Sequence, residues 1–298
     1  MAANLGIAAT KLTVGILTHS TAMLAESIHS LVDTGDAGLL LLGRARSRRP
    51  ADVTHPFGHG MELYFWSIVV AMVVFAGGGG LSVYEGVRAL LHPRTLTAIW
   101  PSYVVLGAAF VFESASLVIG LREFALYRRE DKLPGSILAV VHASKNPAIF
   151  ATVLEDTAAL AGLTLAAAGV TLSYYLGLHY CEGLASIAIG IVLFGQAAVL
   201  GYESRSLIVG EAAYECVVGV IRDVIARHAE LGTLVSIATL QLGPDAILVV
   251  LRVRFPRRMC VDDLERAGER VEADLQRAQP AIRHVMFELT QRSARGCR

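Results

Sequence analysis

Charge is scarce in this sequence: Asp, Glu, Lys and Arg make up 17% of its 298 residues, against 54% hydrophobic residues. A soluble domain of this length does not need so much apolar surface to fill its core, so a membrane is implied. No basic run resembles a nucleic-acid patch and the formal net charge is zero. Electrostatics therefore offers no nucleic-acid partner. The cysteines Cys181, Cys216, Cys260 and Cys297 lack CxxC spacing, which removes both a thiolate zinc finger and a disulfide framework. No HExxH is present, and Gly77 to Gly80 is followed by neither a strand pattern nor Lys-Ser/Thr, so it is not a phosphate loop. In an apolar helix those glycines serve close helix approach or a hinge. The first apolar stretch has no basic start and no small-residue cleavage site, so no cleavable signal peptide is expected.

What the sequence has instead is long apolar runs. A bilayer core takes about 20 mainly apolar residues per helix. Six segments fit, at Ala3 to Leu17, Thr21 to Leu42, Leu63 to Leu90, Tyr103 to Leu121, Pro147 to Leu172 and Gly183 to Tyr202. The expected fold is a multi-pass, all-α six-helix transmembrane bundle over residues 1–206, in contact with membrane lipid. Its second connection holds Arg44, Arg46, Arg48 and Arg49, and its fourth holds Arg122, Arg128, Arg129, Lys132 and Lys145, whereas the third holds Arg88 and Arg94. The positive-inside rule puts the richer connections, and with six spans both termini, in the cytoplasm.

Residues 207–298 are charged and read as a separate α+β domain. A helix is expected over Tyr214 to His228, strands over Val235 to Leu242 and Ile247 to Phe255, and a helix carrying Leu264, Ala267, Val271 and Leu275. His284 to Thr290 supplies a last strand. This αββαβ order makes a small open sheet backed by two helices, expected to pair as a homodimer through apolar sheet positions such as Ile247, Val249 and Leu251 or through helix contacts.

Ionisable residues inside the apolar segments carry the chemistry. His29 and Asp33 stack one turn apart on the second helix, with Asp36 near the same stripe. Such groups face a bundle interior or a water-filled cavity, either to fix packing or to bind. Imidazole with carboxylate is a zinc ligand pair. The fifth helix adds Glu155 and Asp156, of which Asp156 can complete a site begun by His29 and Asp33. Glu155 points about 100° away, either toward another helix or behind the ligands. In the second connection Asp52, His55 and His59 can converge on one ion across a turn made by Pro56, Gly58 and Gly60, or stand as surface histidines in an ordered loop. Lys11, Glu85 and Glu113 read as inter-helix or helix-end groups. His19, His92, His142 and His179 read as loop or interface residues.

The segments Ala22-Met23-Leu24-Ala25-Glu26-Ser27-Ile28-His29-Ser30-Leu31-Val32-Asp33 and His55-Pro56-Phe57-Gly58-His59-Gly60-Met61-Glu62 resemble the cation diffusion facilitator family. Glu182-Gly183-Leu184-Ala185-Ser186 and Leu207-Ile208-Val209-Gly210-Glu211 match it as well. The resemblance implies six-helix export of zinc or manganese and a ferredoxin-like cytoplasmic domain. It implies a transport site of His29 and Asp33 with two residues of the fifth helix, where Asp156 matches and Thr152 stands in place of the usual His or Asp. A water, Thr152 or a shifted Glu155 then fills the fourth position. It also assigns Asp52, His55 and His59 to the family's loop site. In the C-terminal domain only His228 and His284 are available as zinc ligands, so that domain is expected to be poor in metal. Zinc export coupled to protons follows, since ligands must be deprotonated to bind metal and an imidazole titrates near pH 6.5 at about its ordinary value. Manganese, iron or cobalt export, a transporter-like membrane scaffold or regulator with a degenerate site, and a membrane metalloenzyme are the alternatives. The last lacks any nucleophile and base set beside the ligands, so the chain is not expected to be an enzyme.

Overall fold

The computed structural model describes residues 2–92, 99–130, 144–256 and 260–290; Arg94, Lys132, His142 and Cys297 lie outside them. The chain divides into two compact units. The first comprises Met1–Arg46, Glu62–Glu130 and Asn146–Arg205, and the second gathers Ser47–Met61 and Lys145 with the chain from Ser206 onward.

The first unit is helical. Its elements are α1 (Ala2–Thr18), α2 (Thr21–Ser47), α3 (Glu62–Leu91), α4 (Trp100–Glu130), α5 (Pro147–Leu176) and α6 (Tyr180–Val209). Among the described residues, the four helices α3 to α6 are long and apolar enough to cross a membrane. At 17 residues α1 is shorter, and α2 carries Glu26, Asp33 and Asp36 within its apolar stretch. The helices outrun the apolar segments read from the sequence. Backbone hydrogen bonding continues past the apolar run, so α4 proceeds from Leu121 through Arg122 to Glu130. Helix starts follow local chemistry. Ser20 Oγ accepts from the Met23 amide ahead of α2, at 3.3 Å, and Asn146 Oδ1 accepts from the Ala148 amide with Pro147 in the first turn of α5.

Within α3 a π-helical turn covers Val74–Gly80. Glycines seven residues apart let this helix approach α6. A Cβ on Gly86 would stand 2.7 Å from the Gly183 carbonyl, and one on Gly190 would stand 2.8 Å from the Gly79 carbonyl. Of the two purposes expected for the glycine run, the close approach is met at Gly79, and the run lies in the π-helical turn. Gly190→Leu is expected to lower stability by at least the about 1–3 kcal/mol typical of overpacking, measured as the unfolding transition of the detergent-solubilised chain. An unchanged transition would mean that the helices do not rely on this approach.

In the second unit, α7 (Glu215–Arg227), β1 (Thr233–Gly243), β2 (Ala246–Arg254), α8 (Val261–Ala278) and β3 (Ile282–Thr290) follow the αββαβ order. The sheet order is β1-β2-β3, with β1 antiparallel and β3 parallel to β2. Strict alternation on β2 sends Ile247, Val249, Leu251 and Val253 into a core with Val217, Ile221 and Val224 of α7 and Ala267, Val271 and Leu275 of α8. Each large aliphatic side chain so buried contributes about 1.5–3 kcal/mol. This removes the sheet positions from the expected dimer surface and does not touch the helix contacts offered beside them. Ile247, Val249 and Leu251 are 2%, 0% and 0% exposed because the two helices of the same chain already cover them. The His228 ring bridges Asp274 at 2.9 Å and Glu230 at 3.3 Å, locking the end of α7 onto α8.

Candidate metal centre

The α2 face directed inward is polar over three turns: Glu26, His29, Ser30 and Asp36 are all buried. His29 Nδ1 lies 3.3 Å from Asp33 Oδ1, as their spacing requires. Behind them Lys11 of α1 is fully buried, donating to Glu26 Oε2 at 3.1 Å and Ser30 Oγ at 2.8 Å. Lys11 and Glu26 were not assigned to the site from the sequence. Fifteen residues separate them, and only the packing of α1 on α2 makes them a pair.

Two faces of α5 meet two different helices. A Cβ on Gly162 would run into Glu26 and come within 3.9 Å of His29, so the 155–162 stripe faces α2. A Cβ on Gly120 of α4 would touch Asp156 Oδ2 at 3.8 Å and Thr152 Cγ2 at 3.9 Å, so the 152–156 stripe faces α4. The side chains behave accordingly. Glu155 lies within electrostatic reach of Asp33, as do Asp36 and Glu113. Asp156 accepts a hydrogen bond from Ser116 of α4. Thr152 is exposed and donates to the Ala148 carbonyl of its own helix, at 3.2 Å. The structure thus brings Glu155, rather than Thr152, toward the His29–Asp33 pair.

The arrangement leaves polar atoms orphaned. Both His29 ring nitrogens, Asp33 Oδ1, both Asp36 oxygens, Glu155 Oε1 and Asp156 Oδ2 are buried without a hydrogen-bond partner. Burying such groups without compensation is costly. Against Glu26, Asp33, Asp36, Glu113, Glu155 and Asp156, the helical unit supplies Lys11 as its single buried Lys or Arg among the described residues. Water, protons or a metal ion can each supply the partners these atoms lack.

The second expected group is assembled. The donor atoms of Asp52, His55 and His59 all lie within 4.8 Å of one another, and among the described residues no other His, Cys, Asp and Glu trio does so. Asp52 Oδ1 accepts from the Thr54 amide, the Thr54 hydroxyl and the His55 amide at 2.7–2.8 Å, while Oδ2 meets His59 Nε2 at 3.0 Å. The Thr54 hydroxyl, with His59 and the His55 amide, holds the Asp52 carboxyl well below the usual carboxylate range. Gly58, at φ 86°, supplies the left-handed residue that closes the turn between the two histidines. Within the same unit, Phe57 packs edge-on against His284 of β3 with 5.3 Å between ring centres.

Residues 1–209 match the family model described as the cation efflux transmembrane domain. The chain belongs to the cation efflux family. The cation diffusion facilitator resemblance carried by the α2 and loop motifs is the same assignment, and it makes the chain an integral membrane protein of a family of transporters. Among curated relatives, the human proton-coupled zinc antiporter SLC30A9, mitochondrial, is 27% identical over 312 aligned residues, covering 92% of this chain and 54% of the relative. Metal tolerance protein C4 of Arabidopsis thaliana is 26% identical over 250 residues, covering 84% of this chain and 54% of the relative. Magnetosome protein MamM of Paramagnetospirillum magneticum is 35% identical over 126 residues, 40% of this chain and 39% of the relative. The chain spans about half the length of the first two of these cation efflux relatives.

Proposed function

We propose that this protein exports divalent metal cations from the cytoplasm in exchange for protons, with zinc as the favoured ion. The observation that carries the reading is the set of orphaned imidazole and carboxylate atoms shared between α2 and α5. His29, Asp33 and Glu155 take the ion, and Asp156 joins them by turning from Ser116 toward the same space. Glu155 then fills the fourth place that Thr152 leaves. One imidazole with carboxylates suits zinc and also admits manganese, iron or cobalt. Because these ligands bind metal only when deprotonated, metal entry expels protons and proton entry expels metal, which couples the two flows. The proposal includes six spans, with α1 and α2 held in the bilayer by burying their ionisable groups inside the bundle. It also includes cytoplasmic termini, a ferredoxin-like domain beyond residue 206 and a homodimer. Asp52, His55 and His59 bind a further ion at the cytoplasmic loop. Zinc antiport in the name of the human relative points the same way.

The test is zinc uptake into proteoliposomes containing the purified chain under an imposed pH gradient. Uptake that follows the gradient and reverses with it is expected. A protein that binds zinc but transports nothing would favour the scaffold or regulator reading.

A further inference from the structure

Glu113 is the one charged residue of α4 between Trp100 and Leu121. It lies on the buried stripe of that helix with Ser102, Leu106, Ala109 and Phe124 and is 9% exposed, while Val111 and Phe112 beside it face outward. Along the same side of α4, Ser116 bonds to Asp156 and a Cβ on Gly120 would touch it, so this side looks onto α5. Near the start of the helix the Ser102 hydroxyl donates to that of Thr18 at 3.5 Å, so the stripe borders α1 as well. Nine residues of helical rise, about 14 Å, separate Glu113 from Arg122, too far for its carboxyl to reach the polar end of the helix.

The charged groups that face Glu113 come from three helices. Lys11 of α1, Glu26 and Asp33 of α2, and Glu155 and Asp156 of α5 all lie within its electrostatic reach. None of them hydrogen-bonds to it, nor does any other of the described residues. The Lys11 ammonium is engaged by Glu26 and Ser30. Glu113, Asp33, Glu155 and Asp156 are therefore carboxyls gathered inside the bundle without a fixed positive partner. Like charges so placed, away from water, do not all ionise together, and protons occupy part of the set until a cation arrives.

We infer that Glu113 is a proton carrier for the α2–α5 centre: it holds a proton while no metal is bound and gives it up, without becoming a ligand, when a divalent ion enters. The inference rests on the proposed centre at His29, Asp33 and Glu155 and adds to it a coupling group from a third helix. The ion brings two positive charges. The proton leaving Glu113 takes one away and a proton leaving a ligand carboxyl takes the other, so the charge inside the bundle is unchanged by the exchange. Once ionised, Glu113 is stabilised through space by an ion that it does not touch. A ligand must exchange its proton at the coordination bond itself, whereas Glu113, on neither ligand helix, exchanges its proton beside the ion and leaves the coordination sphere intact.

The experiment uses the full chain in lipid nanodiscs with His55→Ala and His59→Ala, which silence the loop group. Zinc binding is followed by calorimetry in buffers of different ionisation enthalpy, which counts the protons released per ion. Adding Glu113→Gln is expected to lower that count by about one while changing zinc affinity less than about ten-fold, and Glu113→Asp, which keeps a carboxyl, should keep the count. An unchanged count in Glu113→Gln would overturn the inference. So would a loss of affinity of about 100-fold or more, which would make Glu113 a ligand. A second measurement needs no variant of Glu113. Dicyclohexylcarbodiimide attacks protonated carboxyls in apolar surroundings, so it should modify Glu113 in the metal-free chain and fail to do so once zinc is bound, read by mass spectrometry. Equal modification with and without zinc, or none in the metal-free chain, would overturn the inference as well. Zinc binding that releases no protons at all would sink the exchange of metal for protons itself, whereas release indifferent to Glu113 sinks this inference alone.

Discussion

Asp33→Ala is expected to cut zinc flux in proteoliposomes about 100-fold or more while leaving the unfolding transition nearly unchanged. Losing a group that merely orients a ligand costs about 10–100-fold in metal affinity. In the proposed site Asp33 is itself a ligand. Its Oδ1 is orphaned and faces His29 Nδ1 at 3.3 Å, and Glu155, Asp36 and Glu113 all act on it. The same assay identifies the fourth donor. Glu155→Ala should lose as much flux as Asp33→Ala, because the 155–162 stripe of α5 faces α2. Thr152→Ala should keep near-normal flux, because its hydroxyl is already spent on the Ala148 carbonyl. Asp156→Ala should abolish flux if that carboxylate turns from Ser116 to the ion during the cycle. If Thr152→Ala loses flux and Glu155→Ala retains it, the rotation of α5 described here does not apply to the metal-loaded state.

The sequence made His29 and Asp33 legible because both lie on one helix, where spacing alone dictates that they meet. The Asp52, His55 and His59 turn was legible for the same reason, since Pro56, Gly58 and Gly60 act locally. The choice between Glu155 and Asp156 was not. Adjacent residues point about 100° apart, and only the neighbouring helices decide which stripe faces which partner. The deciding contacts are made at Gly162 and Gly120, which carry no chemistry that a motif could flag. The αββαβ order was legible from alternation and turn residues. Ile247, Val249 and Leu251 were misread there as free sheet surface because alternation separates two faces of a strand without saying which one its own helices cover. His19, His92 and His179 sit 73 and 87 residues apart and share a cavity only because three helix ends coincide.

Lys11→Met is expected to be the most destabilising single change in the helical unit. The Lys11 and Glu26 side chains are both 0% exposed and 3.1 Å apart, so removing the ammonium leaves a carboxylate buried without a counter-charge. Breaking a buried pair from one side costs about 3–5 kcal/mol, whereas replacing both partners by neutral groups is often close to neutral. Glu26 has no room to escape. Its second oxygen has no partner, and the carboxyl occupies the space that a Cβ at Gly162 would fill. The double variant Lys11→Met with Glu26→Gln should therefore recover most of the lost stability, and a double-mutant cycle on the unfolding transition should show a coupling well above the about 0.5 kcal/mol seen between independent sites. Flux separates structure from transport. Lys11 also acts electrostatically on His29 and Asp33, but its charge is matched by Glu26, and the double variant removes both charges together. Restored stability with retained zinc flux would make the pair a clamp between α1 and α2. Restored stability with flux still lost would place Lys11 or Glu26 among the groups that exchange protons for metal. A double variant no more stable than Lys11→Met would show that the two side chains do not hold each other in the folded protein.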